Sequence, residues 1–464
     1  MFGATGWHVV RDSNGFRRAA ALASVLPLIL SGCGQTSTSS PTLGATPSPT
    51  PLPTAAPSPT AGLFVDAGAD LGAISPYVYG SNDGPWLAFP PSLQDPIAAA
   101  KLTMLSFPGG NWGDENDLQA SQIDDFVAYC RTIGAEPRIV VRLKGGTAQK
   151  AADLVTYANV TMGYGIKYWG IGNEPDLYEA GGITGYSVDQ FNVEWRSFAQ
   201  AMRAVDAKIK LIGPDISQFV GNTTASAYLQ TRADWVSSFL KANGDLVDIV
   251  SIHRYAFPAS QTSEPPTIAD LRANTQEWDQ IIPALRSLIR TQLGRDLPVA
   301  VTELNSSWAD NLGGEATMDS HYNAIWFGDV LGRLIRQKVD IVAQFALGGD
   351  WGIVGRDSVH PLYYDYLMYQ RFGAELVRSA SDDPLVSVYA AKRADGTLTV
   401  MIVNLGSTVA TKPLTIVGGG PASTAQTWLF DASHKAEQVA ATSLSAGGSV
   451  TLPPESMTLL VVAG

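Results

Sequence analysis

The sequence predicts an α/β chain, a parallel (β/α)8 TIM barrel followed by a small C-terminal antiparallel β-sandwich. Three observations carry this reading. Short apolar strands alternate with amphipathic helices eight times between residues 74 and 374. Two of those strands, ending at Glu174 and Glu303, stop abruptly on a carboxylate. From residue 375 to 464 the apolar period changes to two, with Gly, Pro and Asp at the turns.

Ahead of the barrel the chain has two stretches of unusual composition. Residues 1–33 join Arg11, Arg17 and Arg18 to an apolar run and then to Leu30-Ser31-Gly32-Cys33, the layout of a secretory signal. The apolar run is too short to span a membrane. Cysteine directly after the small residues resembles the bacterial lipoprotein box, in which that thiol is acylated. The expectation is therefore an extracytoplasmic, cell-surface lipoprotein that meets the membrane only through a lipid on Cys33. Residues 34–61 are dominated by Thr, Ser, Pro, Ala and Gly with no charge, a stiff extended tether that reaches roughly 85 Å.

Composition narrows the partners. A formal net charge of −12 with no basic stripe argues against nucleic acid. Only two cysteines occur, and Cys130 reads as a buried helical thiol, so no disulfide is expected. Five histidines, none in a ligand-type pair, imply neither metal nor cofactor. Asp114-Glu115-Asn116-Asp117 reads as a solvated acidic loop, since it lacks the Gly and spacing of a Ca²⁺ loop.

The barrel strands are expected at 76–80, 102–107, 138–142, 166–171, 210–213 (stopped by Pro214), 247–253, 297–303 and 341–346. Between them the helical stretch 148–162 puts Ala151, Val155, Ala158 and Met162 on one face. The clearest helix carries Val188, Phe191, Trp195, Phe198, Met202 and Val205 at spacings of three and four, behind a Ser187/Gln190 capping box. That aromatic stripe reads as core. An open doubly wound sheet is the alternative arrangement of the same elements.

Strand four ends in Trp169-Gly170-Ile171-Gly172-Asn173-Glu174-Pro175, and strand seven in Thr302-Glu303-Leu304-Asn305. This pair of endings resembles clan A glycoside hydrolases. The resemblance implies that Glu174 is the acid/base, that Asn173 binds a substrate hydroxyl, and that Glu303 is the nucleophile of a retaining mechanism. His253 and Tyr255, ending strand six, are similar to clan residues that orient the nucleophile or contact the sugar; a structural His beside a surface Tyr is the other reading. Asn111, after Gly109-Gly110, resembles an element with which family 51 α-L-arabinofuranosidases hold sugar hydroxyls. Trp112 and Trp351 read either as stacking platforms or as loop packing, and Arg142 as a hydroxyl donor or an ion-pair member. In several clan families the segment before the barrel adds a strand to the sandwich, which assigns that role to residues 62–73.

Residues 74–80 (Ile-Ser-Pro-Tyr-Val-Tyr-Gly) resemble the opening of both family 51 enzymes and family 44 endoglucanases, with family 39-like glycosidases also near. Where family 51 carries a Glu-His pair, this chain has Ser81-Asn82-Asp83. The expected partner is thus a carbohydrate from a plant or microbial oligo- or polysaccharide. A non-catalytic carbohydrate-binding lipoprotein is the alternative.

Overall fold

A computed structural model describes residues 61–221, 226–258, 265–309, 312–419, 424–444 and 448–462. The expected signal, Cys33 and the tether as far as residue 60 lie outside the described residues.

After a first strand, β1 (Leu63–Ala73), come the barrel strands β2 (Gly80–Asn82), β3 (Met104–Phe107), β4 (Glu136–Val141), β5 (Tyr168–Ile171), β6 (Lys210–Ile216), β7 (Ile249–Tyr255), β8 (Val299–Asn305) and β9 (Ile341–Gln344). They run parallel and close on themselves, β2 pairing with β9 through Gly80 opposite Ala343. The connecting helices are α1 (Pro91–Ala100), α2 (Trp112–Glu115), α3 (Ala120–Ile133), α4 (Ala148–Val155), α5 (Val188–Val205), α6 (Ala227–Asn243), α7 (Ile268–Asn274), α8 (Trp278–Leu293), α9 (His321–Arg336) and α10 (Tyr363–Tyr369). A closed parallel barrel leaves no edge strand and gathers every strand's C-terminal end at one mouth.

Three expectations are corrected. Residues Pro76–Val78 form a 3-10 turn, capped by Ser75, and the first barrel strand starts only at Gly80. Proline at the first helical position favours that turn, and it sends the Tyr77 ring against Tyr168 on the barrel floor, 5.5 Å between centroids. Pro214 does not stop the fifth barrel strand; β6 continues to Ile216 because the proline sits at a register shift, where no ladder donor is needed. Met162 is 43% exposed, since α4 widens into a π-turn at Thr156–Thr161 that ends the 3.6-residue period after Ala158.

On α5 Phe191, Trp195, Phe198 and Met202 are buried, and Trp195 meets Phe239 of α6 edge-on. Ser187 caps this helix by accepting from the Gln190 amide, whereas the Gln190 side chain turns to Glu194 instead of closing the box.

The remaining strands are β10 (Glu375–Ser381), β11 (Val386–Lys392), β12 (Leu398–Asn404), β13 (Ala410–Val417), β14 (Thr424–Phe430), β15 (Lys435–Ser443), β16 (Ser449–Leu452) and β17 (Ser456–Val462). They form a nine-stranded sheet in the order β15-β14-β17-β12-β11-β10-β1-β13-β16. The sheet is antiparallel except that β1 lies parallel to β13 while pairing antiparallel with β10. Alternation sorts its faces. Val65, Val388, Val400, Ile402 and Leu460 build the sheet's own core, while Tyr389, Met401, Val403 and Leu459 join the core of the barrel.

Helix α9 lies in that second interface, and every residue from Tyr322 to Ile335 is buried. Gly328 and Gly332 permit it: a Cβ there would stand 2.4 Å from Met457 Sδ and 2.3 Å from the Tyr389 ring. Tyr389 donates its hydroxyl to Asp329, 2.6 Å, and Arg333 of the same helix bonds both Asp329 and Ser387.

One buried acid has no such support. Asp365 of α10 is fully buried with both carboxyl oxygens unpartnered, and burial pushes it well above the usual carboxylate range. The folded state holds the proton that the unfolded chain releases above about pH 4, so this group's effect on stability worsens as pH rises from there. Asp365→Asn should therefore raise folding stability at pH 7 by about 1 kcal/mol or more. The gain should shrink towards pH 4 in denaturant titrations; a gain independent of pH would contradict the assignment.

Candidate active site

The barrel interior is stacked in layers. Met104, Tyr168, Ile212, Ile249, Ala300 and Ile341 form the apolar floor. Above it the inward positions turn polar. Arg138 of β4 pairs with Asp215 of β6 and donates to Ser106 of β3 at 3.2 Å. Thr302 donates to Asp215 at 2.5 Å, and Ser251 accepts from the Asp215 amide at 3.1 Å. Gly170 is part of this layer, because a Cβ there would fall 2.6 Å from the Arg138 guanidinium.

The top layer holds the strand-end carboxylates. Glu303 accepts from the Tyr255 hydroxyl at 2.9 Å and from the Gly110 amide at 3.1 Å. Glu174 takes a left-handed backbone conformation (φ 43°, ψ 56°) just beyond β5, and its amide donates to the Asp215 carbonyl at 3.1 Å. His253 and Tyr255 sit two apart on β7 and so point the same way. His253 Nδ1 lies 3.2 Å from Glu174 and 3.7 Å from Glu303, with Nε2 3.7 Å from Asp215. Ligand atoms of Glu174, His253 and Glu303 all fall within 4.8 Å of one another, the one group among the described residues where side chains could hold a metal ion.

Charge in this layer is strongly coupled. Burial opposes a charge on Asp215, but Arg138 and His253 outweigh it and hold the carboxyl well below its usual range. Burial likewise opposes a charge on His253, yet Glu303, Asp215 and Glu174 together raise it well above the ordinary imidazole value. Glu303 is pushed up to about 7 by burial and by Glu174, against the attraction of His253 and the hydrogen bond from Tyr255.

The loops beside Glu174 are organised by Asp114. Read from sequence as part of a solvated loop, it is 3% exposed. One oxygen accepts from the Leu143 and Lys144 amides at 2.9 and 3.1 Å, and the other from the Asn173 amide at 2.7 Å and the Tyr178 hydroxyl. Burial raises this carboxyl above the usual range, against the four donors that favour its charged form. Gly172 lets Tyr178 and Leu143 close over the strand end, since a Cβ there would sit 2.8 Å from each.

Of the residues singled out in the sequence, Glu174, Glu303, His253, Tyr255, Asn173 and Asn111 come together at the barrel mouth; Asn173 Nδ2 donates to Asn111 at 3.0 Å. A cavity of about 590 Å³ opens there, with Asn111, Asn173, Glu174, Tyr178, Tyr228 and Trp308 among its walls. Trp112 and Trp351 are not in that wall. Trp351 braces the site from behind, its indole donating to the Trp308 carbonyl at 3.2 Å. Arg142 bonds the Asp114 and Lys144 carbonyls and pairs with Asp117. Asn82 donates to the Thr302 carbonyl at 3.0 Å, while Asp83 turns away and accepts from the Gly84 amide.

Sequence reasoning missed Asp215, Asp114, Gly110 and Trp308. Asp215 follows the proline taken as a strand end, so its position inside the barrel had no local signal. A glycine pair after a strand was the available hint for Gly110: its φ of 63° aims the amide at Glu303, and a Cβ at Gly109 would stand 2.8 Å from Asn82.

No protein-family model matches the sequence. The chain is similar to alpha-L-arabinofuranosidase C of Emericella nidulans, 24% identical over 333 residues, covering 61% of this chain and 64% of that protein. It spans less than two thirds of the curated relatives it matches most strongly. Its fold is similar to an alpha-L-arabinofuranosidase of Thermotoga maritima in complex with arabinose, at a TM-score of 0.71 and 18% identity, covering 87% of this chain and all of that one. A family 44 xyloglucanase of Paenibacillus polymyxa follows at 0.67 and 17%, covering 87% and 99%. The resemblance to clan A glycoside hydrolases, with families 51 and 44 near, is borne out by these relatives and by the shared barrel-plus-sheet fold.

Asp114 touches neither strand-end carboxylate yet sets the loop that carries Glu174. Asp114→Ala should leave the barrel folded, by circular dichroism, and lower kcat/KM about 100-fold, the order expected when a reacting group moves by about 1 Å. Undiminished turnover would show that Asp114 does not position the loop.

Proposed function

We propose that this chain is a retaining glycoside hydrolase, with Glu303 as nucleophile and Glu174 as acid/base. The observation that carries the reading is the approach of the two carboxyls: their oxygens lie within 4.8 Å at the open mouth of a closed barrel. Retaining enzymes hold this pair about 5–5.5 Å apart, whereas inverting ones need about 6.5–9.5 Å to admit a water.

The surroundings divide the roles. Donors from Tyr255 and Gly110 converge on Glu303 and favour a carboxylate ready to attack, while the His253 imidazole stands between the two glutamates. Glu174 lines the 590 Å³ cavity, where a leaving group would lie within reach of its carboxyl. In the first step a Glu303 oxygen bonds to the anomeric carbon as the bond to the leaving oxygen breaks, and the Glu174 proton passes to that oxygen. In the second, Glu174 as carboxylate takes a proton from water, whose oxygen displaces Glu303 from the same carbon. Tyr255 keeps its proton because burial and the neighbouring carboxylates oppose a phenolate, so it remains a donor throughout.

The names of the similar proteins supply the first substrates to try, arabinofuranosides and xyloglucan. Glu303→Ala should abolish turnover for every leaving group. Glu174→Ala should keep far more activity on an activated aryl glycoside than on a glycan, and added azide should raise it, giving a glycosyl azide of retained configuration. An inverted azide from Glu174→Ala would exchange the two roles, and unaltered hydrolysis in both variants would remove the site altogether.

For the anchor, Cys33 directly after Leu30-Ser31-Gly32 supports acylation and a surface position. Cys33→Ser should move the protein from the membrane fraction to the soluble one with the same specific activity. Unchanged membrane retention would overturn the lipoprotein reading.

A further inference from the structure

The cavity beside Glu174 has an aromatic wall that the two-carboxylate chemistry does not use. Tyr228, in the first turn of α6, is 39% exposed and lines that cavity. A solitary exposed tyrosine means little by itself, but this one is built in. The Arg232 guanidinium covers one face of its ring, 3.8 Å from the centroid. Arg232 is itself 7% exposed and pairs at 3.1 Å with Asp176, whose side chain is fully buried. Asp176 is two residues beyond Glu174 and also accepts the Ser217 amide at 3.0 Å. A buried ion pair thus ties the tyrosine ring to the segment that carries the acid/base.

Direction follows from chemistry. The acid/base gives its proton to the leaving oxygen, so the leaving group lies on the side of Glu174. The cavity walls include Glu174 and exclude Glu303. At about 590 Å³ the space is in the range of small-molecule clefts, about 300–1,000 Å³. The tyrosine ring offers a rigid apolar face at little entropic cost, and a sugar ring offers a matching face of C–H groups. Lys144 and Glu115, on the same cavity wall, supply a donor and an acceptor for hydroxyls at its rim.

Resting on the glycosidase reading above, we propose that Tyr228 is a specificity-determining residue whose ring, backed by Arg232, stacks on the sugar of the leaving group. The preferred substrates are then glycans with a sugar on both sides of the cleaved bond, and simple alkyl glycosides are poor.

The test compares leaving groups of one glycosyl donor. Two pairs suit the purpose: arabinofuranosyl fluoride with α-1,5-arabinotriose, and cellobiosyl fluoride with cellotetraose. Fluoride cannot stack, so the ratio of kcat/KM on the oligosaccharide to that on the fluoride reads the leaving-group site alone. Tyr228→Ala should lower this ratio about ten-fold, and Tyr228→Phe, which keeps the ring, should hold it within two-fold. Equal losses on both substrates, or no loss, would overturn the proposal. If the intact enzyme cleaves neither pair, the glycosidase reading fails on its own account. Calorimetric binding of the same oligosaccharides to Glu303→Ala, with and without Tyr228→Ala, then still decides the stacking role: at least five-fold weaker binding upholds it, and unchanged or undetectable binding overturns it.

Discussion

The site depends on one buried carboxylate, Asp215. Its oxygens meet the Arg138 guanidinium, the Thr302 hydroxyl and, at 3.7 Å, His253 Nε2, while its carbonyl receives the Glu174 amide. Thr302 directly precedes Glu303, so one residue has a hold on both strand ends and on the imidazole between them. The arrangement is costly to disturb, because removing one partner of a buried pair leaves an uncompensated charge, at roughly 3–5 kcal/mol. Three acids, Asp215, Glu174 and Glu303, face two positive groups, Arg138 and His253. Those cations allow so much acid in the middle of a packed barrel.

Around this centre, close approach is achieved by leaving out side chains. Gly170 makes room for Arg138 inside the barrel, and Gly172 for Tyr178 and Leu143 above it. Gly109 passes under Asn82, and Gly110 turns its amide to Glu303. Each glycine gives up chain entropy that any other residue would retain less of, and each removes a clash of less than 3 Å or frees a donor. The alternation of large and absent side chains in Trp169-Gly170-Ile171-Gly172 is therefore a packing pattern with a catalytic consequence. Trp169 and Ile171 join the apolar core, while Gly170 faces the Arg138–Asp215 pair and Gly172 faces Leu143 and Tyr178.

The nine-stranded sheet acts at a distance. It covers α9, which follows the strand that carries Glu303, and the interface is locked by Tyr389, Asp329, Arg333 and Ser387. Burying α9 from end to end fixes the frame from which β8 and β9 extend to the barrel mouth. The segment before the barrel belongs to the same sheet, with Leu63 opposite Ser381 on one side and Leu414 on the other. Segments far apart in sequence are thus joined in one layer.

Periodicity and strand endings, both local properties, made the barrel, the two-residue period of the sheet and the pair Glu174/Glu303 legible from sequence. A strand that stops on a carboxylate at Pro175 announces itself without a partner. Asn111, Asn173, His253 and Tyr255 were found through motif resemblance, and they do gather at the mouth. What only the tertiary structure decided is which polar groups share a layer. Asp114 looked like one acid in a solvated run, and became a buried four-fold acceptor because three loops converge on it. Asp215 lay behind a proline that marks a strand end in most sequences, yet here the register shift carries the strand onward. Tyr228 has no neighbour in sequence that hints at a binding role; its place in the cavity comes from Arg232 and Asp176, brought together by the closing of the barrel. Local sequence determines where elements begin and what chemistry their ends carry, whereas burial, charge compensation and long-range contacts are properties of the closed structure.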